Sequence, residues 1–253
     1  MKKLLMTIIL VAATIFLFTG CSKKDDLSAC DEKRKEIEEK YGIILCITEN
    51  EIDLDEFTKV KVIEDEEELK KALENLDEVL ATIPSGFIEE LKSYSQRTLN
   101  IVISESYSSG VKFVGNNQEF WTIDRRNINM DISKNIIYSV YKNMNRPNCD
   151  MDFLDDWEDY NPEGFSYGNI EEYSQYLFDG NNAYDTYFIT KTMMENKYDD
   201  IENCFWCLWK DEMIMYNAMA APKIHAKFEY LCSELDRIFE TVDENAYWAR
   251  YIK

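Results

Sequence analysis

Apolar residues recur along the chain at two spacings, one typical of helices and the other typical of strands. In residues 67–82 leucine and valine fall at intervals of three and four, which predicts a helix with one buried face. Residues 99–104 form a short apolar run rich in isoleucine and valine, which predicts a buried strand. The same criteria predict further helices at 31–41, 87–94, 132–144, 201–220 and 223–239, and further strands at 43–48, 59–63 and 119–123.

The order of these elements indicates the fold class. The predicted strands all lie in the first half of the chain, between predicted helices, and the last two predicted elements are helices. A mixed α/β N-terminal part followed by a mainly helical C-terminal part predicts an α+β fold. Between the two parts, residues 145–182 are acidic, aromatic and irregular. Long irregular segments inside compact domains often carry function.

The first residues have the pattern of an export signal. Lys2 and Lys3 precede an apolar run from 4 to 18, which is shorter than the ~20 apolar residues that span a bilayer. Small residues then stand directly before Cys21, as lipoprotein signal peptidase requires. We predict a lipoprotein signal peptide at 1–20, a lipidated tether at 21–30 and one domain at 31–253. An ordinary secretory signal or a membrane anchor with an incidental cysteine is the alternative.

Charge and composition restrict the partners. The chain has 49 acidic and 28 basic residues, giving a net charge of −21. Such a surface repels nucleic acid, so we predict no nucleic-acid partner and a membrane contact only through the lipid on Cys21, at the extracytoplasmic face. Hydrophobic residues make up 45% of the chain, which is too much for a disordered protein.

The chain has seven cysteines, and with Cys21 assigned to lipid an even number remains. In an oxidising compartment these six could pair as disulfides, with fifteen possible connectivities. The six are Cys30, Cys46, Cys149, Cys204, Cys207 and Cys232. Cys204 and Cys207 form a CxxC motif inside a predicted helix. We favour a structural disulfide or buried thiols there over redox catalysis or a metal site shared with Cys149 or Cys232.

Three other features are weaker signals of function. The acidic run at 152–159 offers calcium ligands but lacks the spacing of an EF-hand loop, which favours a solvated loop. His225 is the single histidine, and we expect it at the surface. Aromatic residues concentrated near the irregular segment could line a peptide or glycan groove, or could simply supply the core. These residues are Trp157, Tyr160, Tyr167, Tyr173, Tyr176, Tyr184 and Tyr187.

Several stretches in sequential order resemble a group of bacterial lipoproteins classed as zinc metallopeptidases of the HExxH, gluzincin-like type. The stretches are residues 38–42, 83–87, 100–104, 157–168, 187–190, 226–232 and 247–251. In such enzymes two histidines one turn apart on a helix bind zinc, the glutamate after the first is the general base, and a later glutamate completes the site. The resemblance implies a zincin-like metallopeptidase scaffold.

The zinc motif has degenerated in this sequence. Aligned by its flanks, the resemblance places Asn135 at the first histidine, Ile136 at the general base, Ser139 at the second histidine and Ile214 at the third ligand. With one histidine in the chain, no HExxH can exist. We therefore predict no catalytic residues of this type, no zinc and no cofactor.

The hypothesis that follows is a peptide-binding or protein-binding module on a metallopeptidase-like scaffold. A pocket lined by Asn135, Ser139 and Ile214 would favour it. The first alternative is a hydrolase with an acidic metal site, drawing on Asp211, Glu212 or the acidic run, which a cluster of three carboxylates would favour. The second alternative is a structural envelope lipoprotein with no cleft ligand.

Overall fold

The computed structural model describes residues 29–48, 51, 60–106, 110–114, 117–145, 152–180, 183–209, 217–218 and 220–242. The predicted signal peptide and most of the tether, with Cys21, lie outside the described residues. Cys149, Asp211, Glu212 and Ile214 lie outside them as well. Within the described part of the chain no helix is long and apolar enough to cross a membrane.

A four-stranded sheet forms the N-terminal part, with strand order β1–β2–β4–β3. Its parallel strands are β1 (Ile44–Cys46), β2 (Thr98–Ser104) and β4 (Gln118–Asp124). Strand β3 (Gly110–Val114) pairs antiparallel with β4 and occupies the edge of the sheet. The apolar pattern of the sequence predicts no strand at β3, because turn-forming residues precede and follow this short segment.

Six α-helices are delimited within the described residues. They are α1 (Ala29–Tyr41), α2 (Glu66–Leu80), α3 (Phe87–Ser95), α4 (Ile128–Met144), α5 (Lys197–Trp209) and α6 (Pro222–Ile238). Between α4 and α5 the described chain contains only short 3-10 turns, such as Asp155–Tyr160, as the irregular pattern there predicted. The α+β prediction is confirmed.

Helix boundaries follow local chemistry. Asp65 caps α2 by accepting a hydrogen bond from the backbone N–H of Glu68 at 2.9 Å, and three acidic residues fill the first turn. Pro222 starts α6, where its missing N–H costs nothing. The predicted helix at 201–220 begins earlier, at Lys197, and its described part ends at Trp209.

The two faces of the sheet bury different amounts of apolar surface. Ile101 and Ile103 on β2 join the main core with the helices, whereas Val102 faces a small second cluster with Cys46 and Phe120. Val60 and Val62 pack on that small cluster. The strand predicted at 59–63 is therefore wrong for the described residues: they make one isolated bridge, from Lys61 to Ser106, and the alternating valines reflect their packing.

Helix α4 is the central element of the molecule. It contacts β3, β4, α2, α3 and α5, and Ile132, Ile136, Val140 and Met144 along it are fully buried. Asp131 near its start accepts a 2.8 Å hydrogen bond from the backbone N–H of Asp124, which fixes the helix to the end of β4. The first residues of α4 line one cavity, beside Arg125 and Trp206, and the stripe with Lys134 and Tyr138 lines another. The second of these defines the candidate site, because it contains a position that the sequence singled out, Asn135.

Candidate functional site: a cleft between β3, α4 and α5

A cavity of about 420 Å³ lies where α4 and α5 pass the beginning of the edge strand β3. Its lining residues are Gly110, Lys134, Asn135, Tyr138, Tyr198, Asp199 and Glu202. Lys134 and Tyr138 are four residues apart, so they share one face of α4. Tyr198 and Glu202 have the same spacing on α5. We call this cavity the cleft.

An ion pair joins the two helices in the cleft. Lys134 Nζ lies 2.5 Å from Glu202 Oε1, with the two side chains 26% and 11% exposed. Burial and the neighbouring Glu202 carboxylate raise the pKa of Tyr198, so its hydroxyl stays protonated and donates to Glu202. The Tyr138 ring meets the Tyr198 ring edge-on, with centroids 5.0 Å apart. The cleft therefore has an aromatic wall and a carboxylate that is already neutralised by an ammonium.

The predicted site positions on α4 do not all reach the cleft. Asn135 does, and its Nδ2 donates to the backbone oxygen of Thr122 at 3.1 Å. Ile136 is fully buried in the main core. Ser139 is also buried and accepts a 3.2 Å hydrogen bond from Asn143, away from the cleft. The positions of α4 that face the cleft are thus 134, 135 and 138.

The cleft residues do not fit zinc. An ammonium cannot ligate a cation, the Asn135 amide nitrogen donates to the sheet, and Glu202 is occupied by Lys134. Within the described ranges no group of three or more His, Cys, Asp or Glu side chains could hold a metal ion. His225 lies on α6, one third exposed, 3.5 Å from Glu229 on the next turn. Asp155, Asp156 and Glu158 of the acidic run are exposed.

A second polar site, which the sequence analysis missed, is fully buried. Lys227 Nζ on α6 lies 2.7 Å from Asp200 Oδ2 on α5, and neither side chain is exposed. Trp157 Nε1 and the Tyr167 hydroxyl each donate to the same oxygen at 2.9 Å. Burial raises the pKa of Asp200, while Lys227 and these donors oppose the rise. The sequence does contain one sign of this buried site, because Lys227 stands next to apolar residues of α6, such as Phe228, that face the core.

Most of the aromatic residues near the irregular segment serve the core. Trp157 is fully buried, Tyr160 stacks on Tyr230 with centroids 4.8 Å apart, and Tyr173 packs on Phe165. Tyr167 belongs to the buried network around Asp200. The remaining three, Tyr176, Tyr184 and Tyr187, are half-buried or exposed.

The described cysteines occupy two regions. Cys30 and Cys46 are buried thiols on α1 and β1, and burial raises the pKa of Cys46 to about 11. Cys204 and Cys207 lie one turn apart within α5, Cys232 lies on α6, and burial raises the pKa of Cys204. A redox CxxC stands at a helix start after a strand, whereas this one lies well inside α5. Disulfide pairing of these residues stays a prediction.

The arrangement of the sheet and helices has a counterpart among solved structures. The chain is similar in structure to a "putative zinc-binding metallo-peptidase" from Bacteroides caccae, with a TM-score of 0.55 over 92% of this chain and 93% of that one. Sequence identity is 11%, so the likeness shows the fold alone. No protein-family model matches the chain, and no curated protein does.

Proposed function

We propose that this protein is a lipid-anchored extracytoplasmic protein whose metallopeptidase-like domain has lost zinc and hydrolysis and binds a peptide or protein segment in the cleft. The observation that carries the proposal is the position of Lys134. The Lys134 ammonium contacts the Glu202 carboxylate. Lys134 directly precedes Asn135, the residue that the resemblance aligns with the first zinc-binding histidine. A positive side chain there replaces the metal as the partner of the carboxylate.

We propose that the former site lies one residue earlier on α4 than the flanks of the sequence alignment place it. Lys134 and Tyr138 face the cleft four residues apart, as the two histidines of HExxH do, and Asn135 takes the position of the general base. Glu202 on the later helix stands where a third, carboxylate ligand would stand. Lysine and tyrosine stand at the two histidine positions, and Asn135 cannot accept a proton from water at neutral pH. None of the three positions therefore supports zinc-dependent hydrolysis.

The same geometry suits an extended peptide. Strand β3 is the edge of the sheet, so among the described residues one side of its backbone has no partner strand, and Gly110 opens the cleft at its start. Extended peptides bind such edges through main-chain hydrogen bonds, while neighbouring pockets select side chains. The aromatic wall of Tyr138 and Tyr198 and the polar pair Lys134–Glu202 supply such a pocket.

The test is binding without cleavage. The full chain, purified in detergent, is mixed with a fluorescent library of random ten-residue peptides; anisotropy reports binding and mass spectrometry reports cleavage. We expect binding and intact peptides, with zinc present or absent. Lys134→Glu places two carboxylates in contact and should abolish binding, whereas Lys35→Glu, the same charge change at an exposed residue of α1, should not. Cleavage that depends on zinc, or binding unaffected by Lys134→Glu, would refute the proposal.

The anchor is tested separately. We expect Cys21→Ser to abolish incorporation of labelled palmitate and to move the protein from the membrane fraction into the soluble fraction. Cys30→Ser, the next cysteine along the chain, serves as the control and should leave both readouts unchanged. Membrane association that persists in Cys21→Ser without lipid would indicate an uncleaved signal anchor instead.

A further inference from the structure

We propose that the chain between α4 and α5 carries a second binding site, a groove that takes a neutral polysaccharide of β-linked hexopyranose units. The groove is an open depression of about 860 Å³ and shares no lining residue with the cleft. Its lining residues are Pro162, Glu163, Gly164, Gln175, Tyr176, Asp185 and Tyr187. This proposal goes beyond the proposed function and does not depend on it.

Two tyrosines form a rigid platform in the groove. The rings of Tyr176 and Tyr187 meet edge-to-face, with centroids 5.4 Å apart, and both are half-buried. Their backbones are joined, because the N–H of Tyr187 donates to the oxygen of Tyr176 at 2.9 Å and the N–H of Phe178 donates to the oxygen of Phe188 at 2.8 Å. The rings are therefore positioned before a ligand arrives, which lowers the entropic cost of binding.

The platform has the chemistry that a pyranose ring requires. A β-linked glucose-type unit carries its hydroxyls at the edge and C–H groups on both faces, and those faces stack on aromatic rings. Tyr176 and Tyr187 supply the rings. Tyr173 stacks on Tyr176 with centroids 6.3 Å apart and Lys223 lies over Tyr187, so the sugar stacks on the parts of the two rings that these neighbours leave open. Glu163 and Asp185, both exposed at the rim, supply carboxylate oxygens that accept hydrogen bonds from sugar hydroxyls.

Charge selects a neutral polysaccharide. The rim carries the carboxylates of Glu163 and Asp185. The ammonium of Lys223 lies 5.6 Å from the Tyr187 ring centroid and balances one of these two charges. The chain as a whole carries a net charge of −21. An anionic polysaccharide is repelled by both the rim and the whole surface, whereas an uncharged one loses nothing.

Affinity electrophoresis in native gels tests this directly, with the full chain in detergent and polysaccharide cast into the gel. We expect hydroxyethylcellulose and mixed-linkage β-glucan to retard the protein and carboxymethylcellulose to have little effect. If the protein migrates as fast in gels that contain either neutral polysaccharide as in a gel without polysaccharide, the proposal is overturned.

Variants locate the site. Tyr176→Ala and Tyr187→Ala should each weaken binding about tenfold, because each removes one stacking surface. Tyr184→Ala should leave binding unchanged, since Tyr184 is 80% exposed and outside the groove lining, and Tyr176→Phe should retain it. Lys134→Glu in the cleft should also have no effect, which separates this result from the proposed function. Retardation that survives both alanine variants with normal thermal unfolding would place the sugar elsewhere.

Discussion

Replacing Lys227 with methionine is expected to lower the free energy of unfolding by about 3–5 kcal/mol. The side chain is fully buried, and its ammonium is the positive partner of Asp200 at 2.7 Å. Methionine fills a similar volume but leaves the carboxylate without that partner in a low-dielectric interior. Removal of one member of a buried ion pair is costly for this reason, whatever the net contribution of the intact pair. Urea unfolding followed by far-ultraviolet circular dichroism measures the change.

Two further variants identify the cause of the loss. Lys223→Met, one turn earlier on α6 and exposed, should change stability by no more than about 0.5 kcal/mol. Adding Asp200→Asn to Lys227→Met removes the uncompensated charge while keeping an acceptor for Trp157 and Tyr167, so about 2 kcal/mol or more should return. If the double variant is as unstable as Lys227→Met alone, the loss of unfolding free energy comes from altered packing and not from the uncompensated charge.

The pH dependence of Lys227→Met has a definite sign. Burial already raises the pKa of Asp200, and Lys227 is the largest influence that opposes the rise. Without Lys227 the pKa rises further, above the unfolded value of about 3.9. The folded variant then takes up a proton at a pH where the unfolded chain does not. Its free energy of unfolding should therefore increase relative to wild type as the pH falls from neutrality toward that unfolded value. A decrease over that range would contradict the assignment.

The sequence predicted elements that are stabilised by residues close in sequence. It did not predict features that depend on strand pairing or on packing between distant residues. Helix α2 was predicted nearly to its ends, because its apolar stripe and its Asp65 cap both lie within the helix itself. The order β1–β2–β4–β3 was not predictable, because strand pairing joins residues distant in sequence. The valines at 60 and 62 alternate as in a strand, yet the small cluster that they cover produces the same pattern.

The candidate site was predicted in part. Asn135 was named and does line the cleft, but Lys134, Tyr138 and Glu202 were missed. One residue along a helix corresponds to a rotation of about 100°, so positions 134, 135 and 138 line the cleft while Ile136 and Ser139 are buried. Only the packing of α4 against the sheet and α5 fixes that angle.

The angle of α4 also determines which substitutions could rebuild a zinc site. Lys134→His, Asn135→Glu and Tyr138→His together should bind about one equivalent of zinc per chain, where the wild type binds none. The two new histidines share the cleft face of α4, and Glu202, released from Lys134, supplies the third ligand. Elemental mass spectrometry after dialysis against trace zinc measures the metal content.

The matched control shifts the same three residue types by one position, to Asn135→His, Ile136→Glu and Ser139→His. Those three side chains are buried in the wild type, so a charged glutamate at 136 should destabilise the fold without forming a site. Adding Glu202→Gln to the cleft-facing triple variant should remove the zinc again, because a neutral amide is a weak ligand. Zinc bound by the control, or retained after Glu202→Gln, would show that the metal position of the ancestral fold does not coincide with the Lys134–Glu202 pair. The proposed replacement of the metal by an ammonium would then be refuted, even if the wild-type cleft binds peptides.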